Sequence, residues 1–489
     1  MKKSILQLAA SVLLCGAALN SNAQTDVDAF RYSTENISGT SRFTGMSGAF
    51  GALGGDFSVL STNPAGIGVY RSGEVTFTPS IFAGTTNSLF QGQSGSDTKY
   101  NFNFGNAGIV FTGKMGKQDD SPGWKNWNFA FGYNRINNFN NRSIYEGQND
   151  KNTMLDYFVQ NSNGKDYSKL DSYYEYMAYY NYLINPDSAN NYSSAFSPQS
   201  ITQRRTSESR GSMGEVVISF GGNYSNKLFL GATLGIQNLR YEEESIYEEV
   251  KDPAVTTDTL NNYRFTQNLT TDGSGVNLKL GMIYKPSDYF RIGLAFHTPT
   301  WFNMTDLYKN KMSAQFDGGT VLSSESPDGN YEYDLTTPFK AIGSVAFLFN
   351  QQGALDIDYT FSDYSNARFH ASDYGFFETN NAISHKYTAV HSLRVGTEWR
   401  LDNISFRGGI HYSSSPMTAL YKVSGNDFSK KGFSLGFGMR DTHFFLDVAY
   451  LYTISNQYFQ PYSLNTESVP GVKTDVSSNN FTVTLGVKF

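Results

Sequence analysis

The sequence predicts an all-β membrane protein, a fourteen-stranded antiparallel transmembrane β-barrel plugged by a small N-terminal hatch. Three observations lead there. Beyond Ser72 the chain carries fourteen segments in which apolar residues alternate with polar or small ones, the period of a strand with one face in lipid. The connections between these segments are alternately short and long. Ahead of them, residues 40–71 form the densest glycine stretch of the chain, with Gly45, Gly48, Gly51 and Gly54 at every third position.

Composition agrees. Of 489 residues, 33 are Tyr and 38 Phe but only 4 Trp, while Gly is abundant at 46 and Pro scarce at 13. Mean hydropathy is −0.41. Beyond the N-terminus no apolar run approaches the roughly 18 residues that a spanning helix needs. A barrel gives this low average because only alternate residues face lipid. The formal charge of −6 gives no basis for nucleic-acid binding. Residues 1–23 read as a secretory signal, with Lys2 and Lys3 ahead of an apolar run and Ser21-Asn22-Ala23 as the small-residue cleavage site. Cys15 is the only cysteine, and Leu14 before it argues against a lipoprotein signal. The mature chain then has no thiol for a disulfide or a metal.

Residues 24–73 are the expected hatch. Its glycines permit close backbone approach, and Pro64 fixes its own φ and pushes Asn63 toward an extended conformation. The barrel occupies 74–489. Its first strand, 74–83, sets Val75, Phe77 and Ile81 on one face; the second spans 100–113. The third, 125–138, aligns Trp127, Phe129, Phe131 and Tyr133. The fourth and fifth are 207–224 and 228–244, the latter with Leu228, Leu230, Leu234 and Ile236 in phase. The sixth, 263–284, ends on Val276, Leu278, Leu280 and Met282, and the seventh, 289–302, carries Ile292, Leu294 and Phe296. The eighth is 336–349. In the ninth, 354–364, Leu355, Ile357 and Tyr359 oppose Asp356 and Asp358. In the tenth, 387–401, Leu393, Val395 and Trp399 oppose Arg394, Glu398 and Arg400. The eleventh to fourteenth, 404–415, 432–440, 443–458 and 480–489, alternate in the same way, the last from Phe481 to Phe489.

Connections at 225–227, 285–288, 350–352, 402–403 and 441–442 are short, with a longer one at 114–124. The other set runs from about 15 to 67 residues, the largest at 140–206. The short set marks the periplasmic side and places both termini there. Within the largest loop, Leu170, Tyr174, Met177 and Ile184 fall near one face of a helix over 169–184, which reads as a lid over the mouth or a surface for an amphipathic ligand.

Asn63-Pro64-Ala65, with Asp56 seven residues earlier, resembles the hatch element of the FadL-like family of outer-membrane channels for long-chain fatty acids and other hydrophobic compounds. The resemblance spans the mature chain in architecture and residues 45–70 in motif. It implies an outer-membrane protein that takes fatty acids without a cofactor, passes them into an apolar pocket beside a gating Asn63-Pro64-Ala65, and releases them sideways to outer-membrane lipid. It also implies a kinked third strand, where Gly132, Asn134 and Arg135 are the candidates. The terminal Phe489 resembles the signal read by the outer-membrane assembly machinery.

Catalysis has little footing. None of the six histidines lies in H-E-x-x-H, and no Ser lies in G-x-S-x-G. The inward carboxylates Asp356 and Asp358, facing Arg394, Glu398 and Arg400, are better explained as polar contacts between lumen and hatch than as an acid–base pair. His370 and His385 share one loop and offer the only basis for a haem-receptor reading. An adhesin-like surface protein and a polar-solute porin are the remaining alternatives.

Overall fold

The structure, a computed structural model, describes residues 24–116, 121–197, 201–350, 352–422 and 428–489. The expected signal segment 1–23 and part of the 114–124 connection lie outside the described residues.

Fourteen antiparallel strands close into one barrel. They are β1 (Glu74–Phe90), β2 (Gln93–Lys114), β3 (Trp124–Asn138), β4 (Ile201–Tyr224), β5 (Leu228–Val250), β6 (Leu260–Ser287) and β7 (Phe290–His297, resuming as Trp301–Phe316). There follow β8 (Gly329–Thr336, resuming as Lys340–Phe349), β9 (Gly353–Asp363), β10 (Ala389–Leu401), β11 (Ile404–Ser413), β12 (Lys430–Arg440), β13 (Phe444–Phe459) and β14 (Val472–Lys488). Each pairs with its sequence neighbours, and β14 returns to β1 with Lys488 opposite Glu74. Closure leaves no free edge and satisfies the backbone without water. Beyond the paired strands, Gly73 and Phe489 exchange N–H···O=C bonds of 2.9 and 3.0 Å, which fasten the seam at the short-turn end. The interruptions of β7 and β8 are Thr298-Pro299-Thr300 and Thr337-Pro338-Phe339. Proline has no N–H to give a ladder, and the Thr337 N–H bridges the break by donating to Thr300 O at 3.0 Å.

Outward positions are apolar in the expected phase, Phe131, Phe220, Leu280, Phe406 and Leu485 among them, all exposed. The strands are longer than the periodicity implied. A membrane crossing takes about 9–11 residues, yet β4, β5 and β6 have 24, 23 and 28. The wall therefore continues beyond the apolar band at the long-loop end. There an outward face has no need to be oily, so the alternation that marks a strand disappears from the sequence. The clearest correction is the first long connection. It is only Gln91-Gly92, with φ of 49° and 81°, the doubly left-handed geometry of a tight hairpin. The expected loop between β1 and β2 is strand.

Residues 24–73 pack against the inward faces of the strands. They form α1 (Asp26–Ser33), α2 (Ser41–Gly45) and two 3₁₀ turns, Phe57–Ser61 and Pro64–Val69. At the opposite end, residues 150–197 fold into the mouth. The expected helix over 169–184 is shorter than its pattern suggested. After α3 (Met154–Ser162), only Glu175–Tyr180 forms α4. Leu170, Met177 and Ile184 are nevertheless buried together with inward residues of β5, β6 and β7, such as Tyr247, Phe265 and Met312. This segment is pinned by Glu249 of β5. Its carboxylate accepts from Thr153 Oγ1, the cap of α3, and from Met154 N, Gln203 Nε2 and Tyr247 Oη at 2.8–2.9 Å.

Candidate functional site

Asn63 caps the second 3₁₀ turn, its Oδ1 accepting from Ala65 N at 3.2 Å. Its Nδ2 donates to Gly51 O at 2.6 Å and, across to β6, to Met282 O at 3.4 Å. Asp56 caps the first turn in the same manner and also accepts from Thr40 Oγ1 at 2.8 Å; burial raises its pKa above the usual carboxylate range. Asn63-Pro64-Ala65 rests on a pair of facing glycines, Gly231 of β5 and Gly281 of β6. A Cβ at Gly231 would lie 2.2 Å from Pro64 O, and one at Gly281 2.1 Å from Asn63 Oδ1. Inward glycines inside otherwise regular strands were the signal for this track, visible in the sequence but unread.

The next stretch of the N-terminal segment is held by acid. Asp358 accepts from the backbone N–H groups of Phe50 and Gly51 at 3.0–3.1 Å, and Asp356 from those of Ala52 and Leu53 at 3.2 Å. Neither forms an ion pair among the described residues. Arg394, cross-strand neighbour of Asp358, turns its guanidinium toward Gly48 and a cavity. Glu398 is clamped by Arg42, with Nε–Oε2 and Nη2–Oε1 both 2.8 Å, and by Arg407, which also reaches Asp447. Arg400 does not join them. It is exposed at the end of β10 and makes no side-chain bond among the described residues, because the outermost position of a strand lies beyond the packed segment. Arg42 and Arg291, which donates to Leu53 O at 2.6 Å, are contacts not predicted from spacing as partners of particular groups.

The β2–β3 ladder stops at Asn106 opposite Asn134. Gly132 lies within the paired part, against Gly108 and the ring of Phe57. Asn134 Nδ2 donates to Ser61 Oγ at 2.9 Å. Beyond it, Arg135 Nε donates to the carbonyl of Phe104 at 3.3 Å, and a register shift follows before Asn137. The end of β3 turns to the N-terminal segment instead. The Asn36 N–H donates to Ile136 O at 2.8 Å, Asn36 Nδ2 to Asn137 Oδ1 at 2.6 Å, and Asn137 Nδ2 to Thr34 O at 2.7 Å. A short strand, Asn141–Asn149, then pairs only with β4 and crosses the inner face of the β1–β2 hairpin, where Thr86 Oγ1 donates to Arg142 O at 2.6 Å.

Two interior zones flank these contacts. Toward the mouth, Ala29 and Tyr32 of α1 are packed among Met213, Leu239, Phe302 and Leu335. Below lies a cavity of about 90 Å³ lined by hydroxyls such as those of Ser61, Thr360 and Ser392, by apolar side chains such as Phe30, Ile342 and Val390, and by Glu35, His297, Lys340, Arg394 and Lys430. Glu35 pairs with Lys340 at 2.6 Å. Burial disfavours its charge, but Lys340, with Lys279 behind it, holds its pKa down at about 2 against 4.5 ordinarily. A depressed folded value makes this anchor complete above 4.5 and progressively lost toward 2. Peptic cleavage of residues 24–73 is therefore expected to rise as pH falls through that window, and Glu35→Gln to be cleaved readily throughout it. An unchanged profile in the variant would remove this anchor from the account.

The family model described as outer membrane protein transport protein (OMPP1/FadL/TodX) matches residues 217–489. The chain belongs to this family. It is thus a Gram-negative outer-membrane channel of the FadL/TodX kind for hydrophobic compounds, and not an enzyme. The barrel resembles solved structures of such channels at low identity. A Pseudomonas aeruginosa FadL homologue aligns over 94% of this chain and 99% of its own at 13% identity, TM-score 0.57. The P. putida toluene transporter TodX aligns over 94% and 99% at 13% identity, TM-score 0.53. The Ralstonia pickettii toluene transporter TbuX aligns over 93% and 99% at 14% identity, TM-score 0.51. No curated protein matches the sequence.

Proposed function

We propose that this channel admits hydrophobic small molecules such as long-chain fatty acids by diffusion and releases them sideways into the membrane between β2 and β3. Residues 24–73 are the hatch, and the short-turn end with both termini faces the periplasm. The observation that carries the reading is the end of the β2–β3 ladder at Asn106–Asn134, with the diverted end of β3 bonded to Thr34 and Asn36. One element thus touches both the gap and the hatch, so moving α1 moves the wall. Cargo entering under the lid would take the place that Ala29 and Tyr32 fill among apolar side chains. Each methylene kept from water favours that path by about 0.8 kcal/mol. The cavity below sets Glu35, Lys340 and Arg394 in the path of an apolar chain, which favours exit through the wall over passage past the hatch.

The test is a disulfide across the gap. Phe104 and Arg135 are already in contact, and Cys15 is the only native cysteine. Phe104→Cys with Arg135→Cys, oxidised, is expected to lose uptake of a labelled fatty acid, and reduction to restore it. Wild-type uptake by the oxidised form would refute lateral exit here.

A further inference from the structure

The outer wall carries a groove that transport does not use. It encloses about 580 Å³ where five strands change character at one level. Val216, Ile236, Val276 and Trp301 are direct cross-strand partners and form a continuous apolar row across β4 to β7. Over the next two pleats toward the long-loop end, the same strands turn polar. Ser212, Asn238, Ser274 and Thr305 line the groove and make no side-chain hydrogen bond among the described residues. Arg240 crosses its floor, but its charge is committed to Asp272 at 3.0 Å and Glu242 at 2.7 Å. At one end Tyr133 of β3 lies over Gly214, where a Cβ would come within 2.4 Å of its hydroxyl.

We infer that this groove seats the uncharged sugar headgroup of a membrane glycolipid, whose acyl chains lie along the apolar row beside it. Depth selects a lipid, because the groove starts where the oily face ends. Chemistry selects a sugar. Three hydroxyls and an amide without protein partners match a polyol's alternating donors and acceptors, and Tyr133 offers ring surface to sugar C–H groups. A phosphate would need a free cation, and Arg240 has none of its charge to spare. The leaflet follows from the orientation proposed above, which makes it the outer one. Lipid retention in detergent does not depend on that orientation, so the two readings fail separately.

Native mass spectrometry of the purified full chain offered digalactosyl diacylglycerol, phosphatidylglycerol or lipid A tests this. The galactolipid is expected to be retained and the other two lost on mild activation. Ser274→Phe, which fills the groove, should reduce that retention about tenfold, the equivalent of one to two net hydrogen bonds. The double variant Asn238→Ala with Thr305→Ala adds no bulk and should weaken it several-fold. Equal retention of phosphatidylglycerol, preference for lipid A, or undiminished retention by both variants would overturn the assignment.

Discussion

Replacing Asp356 and Asp358 together with alanine is expected to turn a closed channel into a leaking one. Their three engaged oxygens are the acceptors for four consecutive N–H groups of the N-terminal segment, Phe50 to Leu53. Each buried donor left unpaired costs about 1–3 kcal/mol, so the seat of this segment loses on the order of 5 kcal/mol. That is more than a thousandfold in the ratio of seated to displaced segment. Planar-bilayer conductance reads the outcome directly. The double variant should conduct ions steadily where the wild type does not, while still migrating as a folded, heat-modifiable barrel. Asp358→Ala alone should exceed Asp356→Ala alone, since Asp358 engages both oxygens and Asp356 Oδ1 has no partner. A double variant as tight as the wild type would show that these carboxylates do not hold the plug.

The second large effect comes from adding two methyl groups. In Gly231→Ala with Gly281→Ala, the new Cβ atoms fall 2.2 Å from Pro64 O and 2.1 Å from Asn63 Oδ1. The first contact is with backbone and cannot be relieved by a rotamer. Overpacking of this kind costs about 1–3 kcal/mol per site, and here it acts on the N-terminal segment, because the wall is tied by its ladders on both sides. Protease accessibility of residues 24–73 in the detergent-solubilised protein should rise at least as much as in Asn63→Ala. Gly343→Ala, whose added Cβ meets nothing within 4 Å, should behave as wild type. Equal protection in all three would mean that the Asn63-Pro64-Ala65 element does not rest on this track.

The barrel was legible because lipid imposes a period of two on every crossing, and side chains such as Leu228 to Ile236 or Phe481 to Phe489 repeat it without ambiguity. The wall above the membrane was not. Thr85 to Phe90 pairs with Gln93 to Thr98 as regular strand, yet water on the outer face lifts the demand for alternate apolar residues. Among interior charges, Asp356, Asp358 and Glu398 were visible as polar residues in phase with the bore. Their partners were not, because those are backbone groups of Phe50 to Leu53 and an arginine, Arg42, more than 300 residues distant. Arg400 shared their phase but lies past the end of the packed segment. The helix over 169–184 showed the converse error. Its tyrosines repeat at helical spacing, but Tyr182 takes φ of 57° and ends the helix early.

The fastening of Gly73 to Phe489 has a bearing on how the molecule comes to exist. A closed ring cannot be filled from the side. The stretch ahead of β1 therefore enters through an open end or while the nascent strands are still apart, before the last of them zips onto the first. By either route residues 24–73 and the wall depend on the same seam, and a chain lacking β14 would hold neither its shape nor its contents.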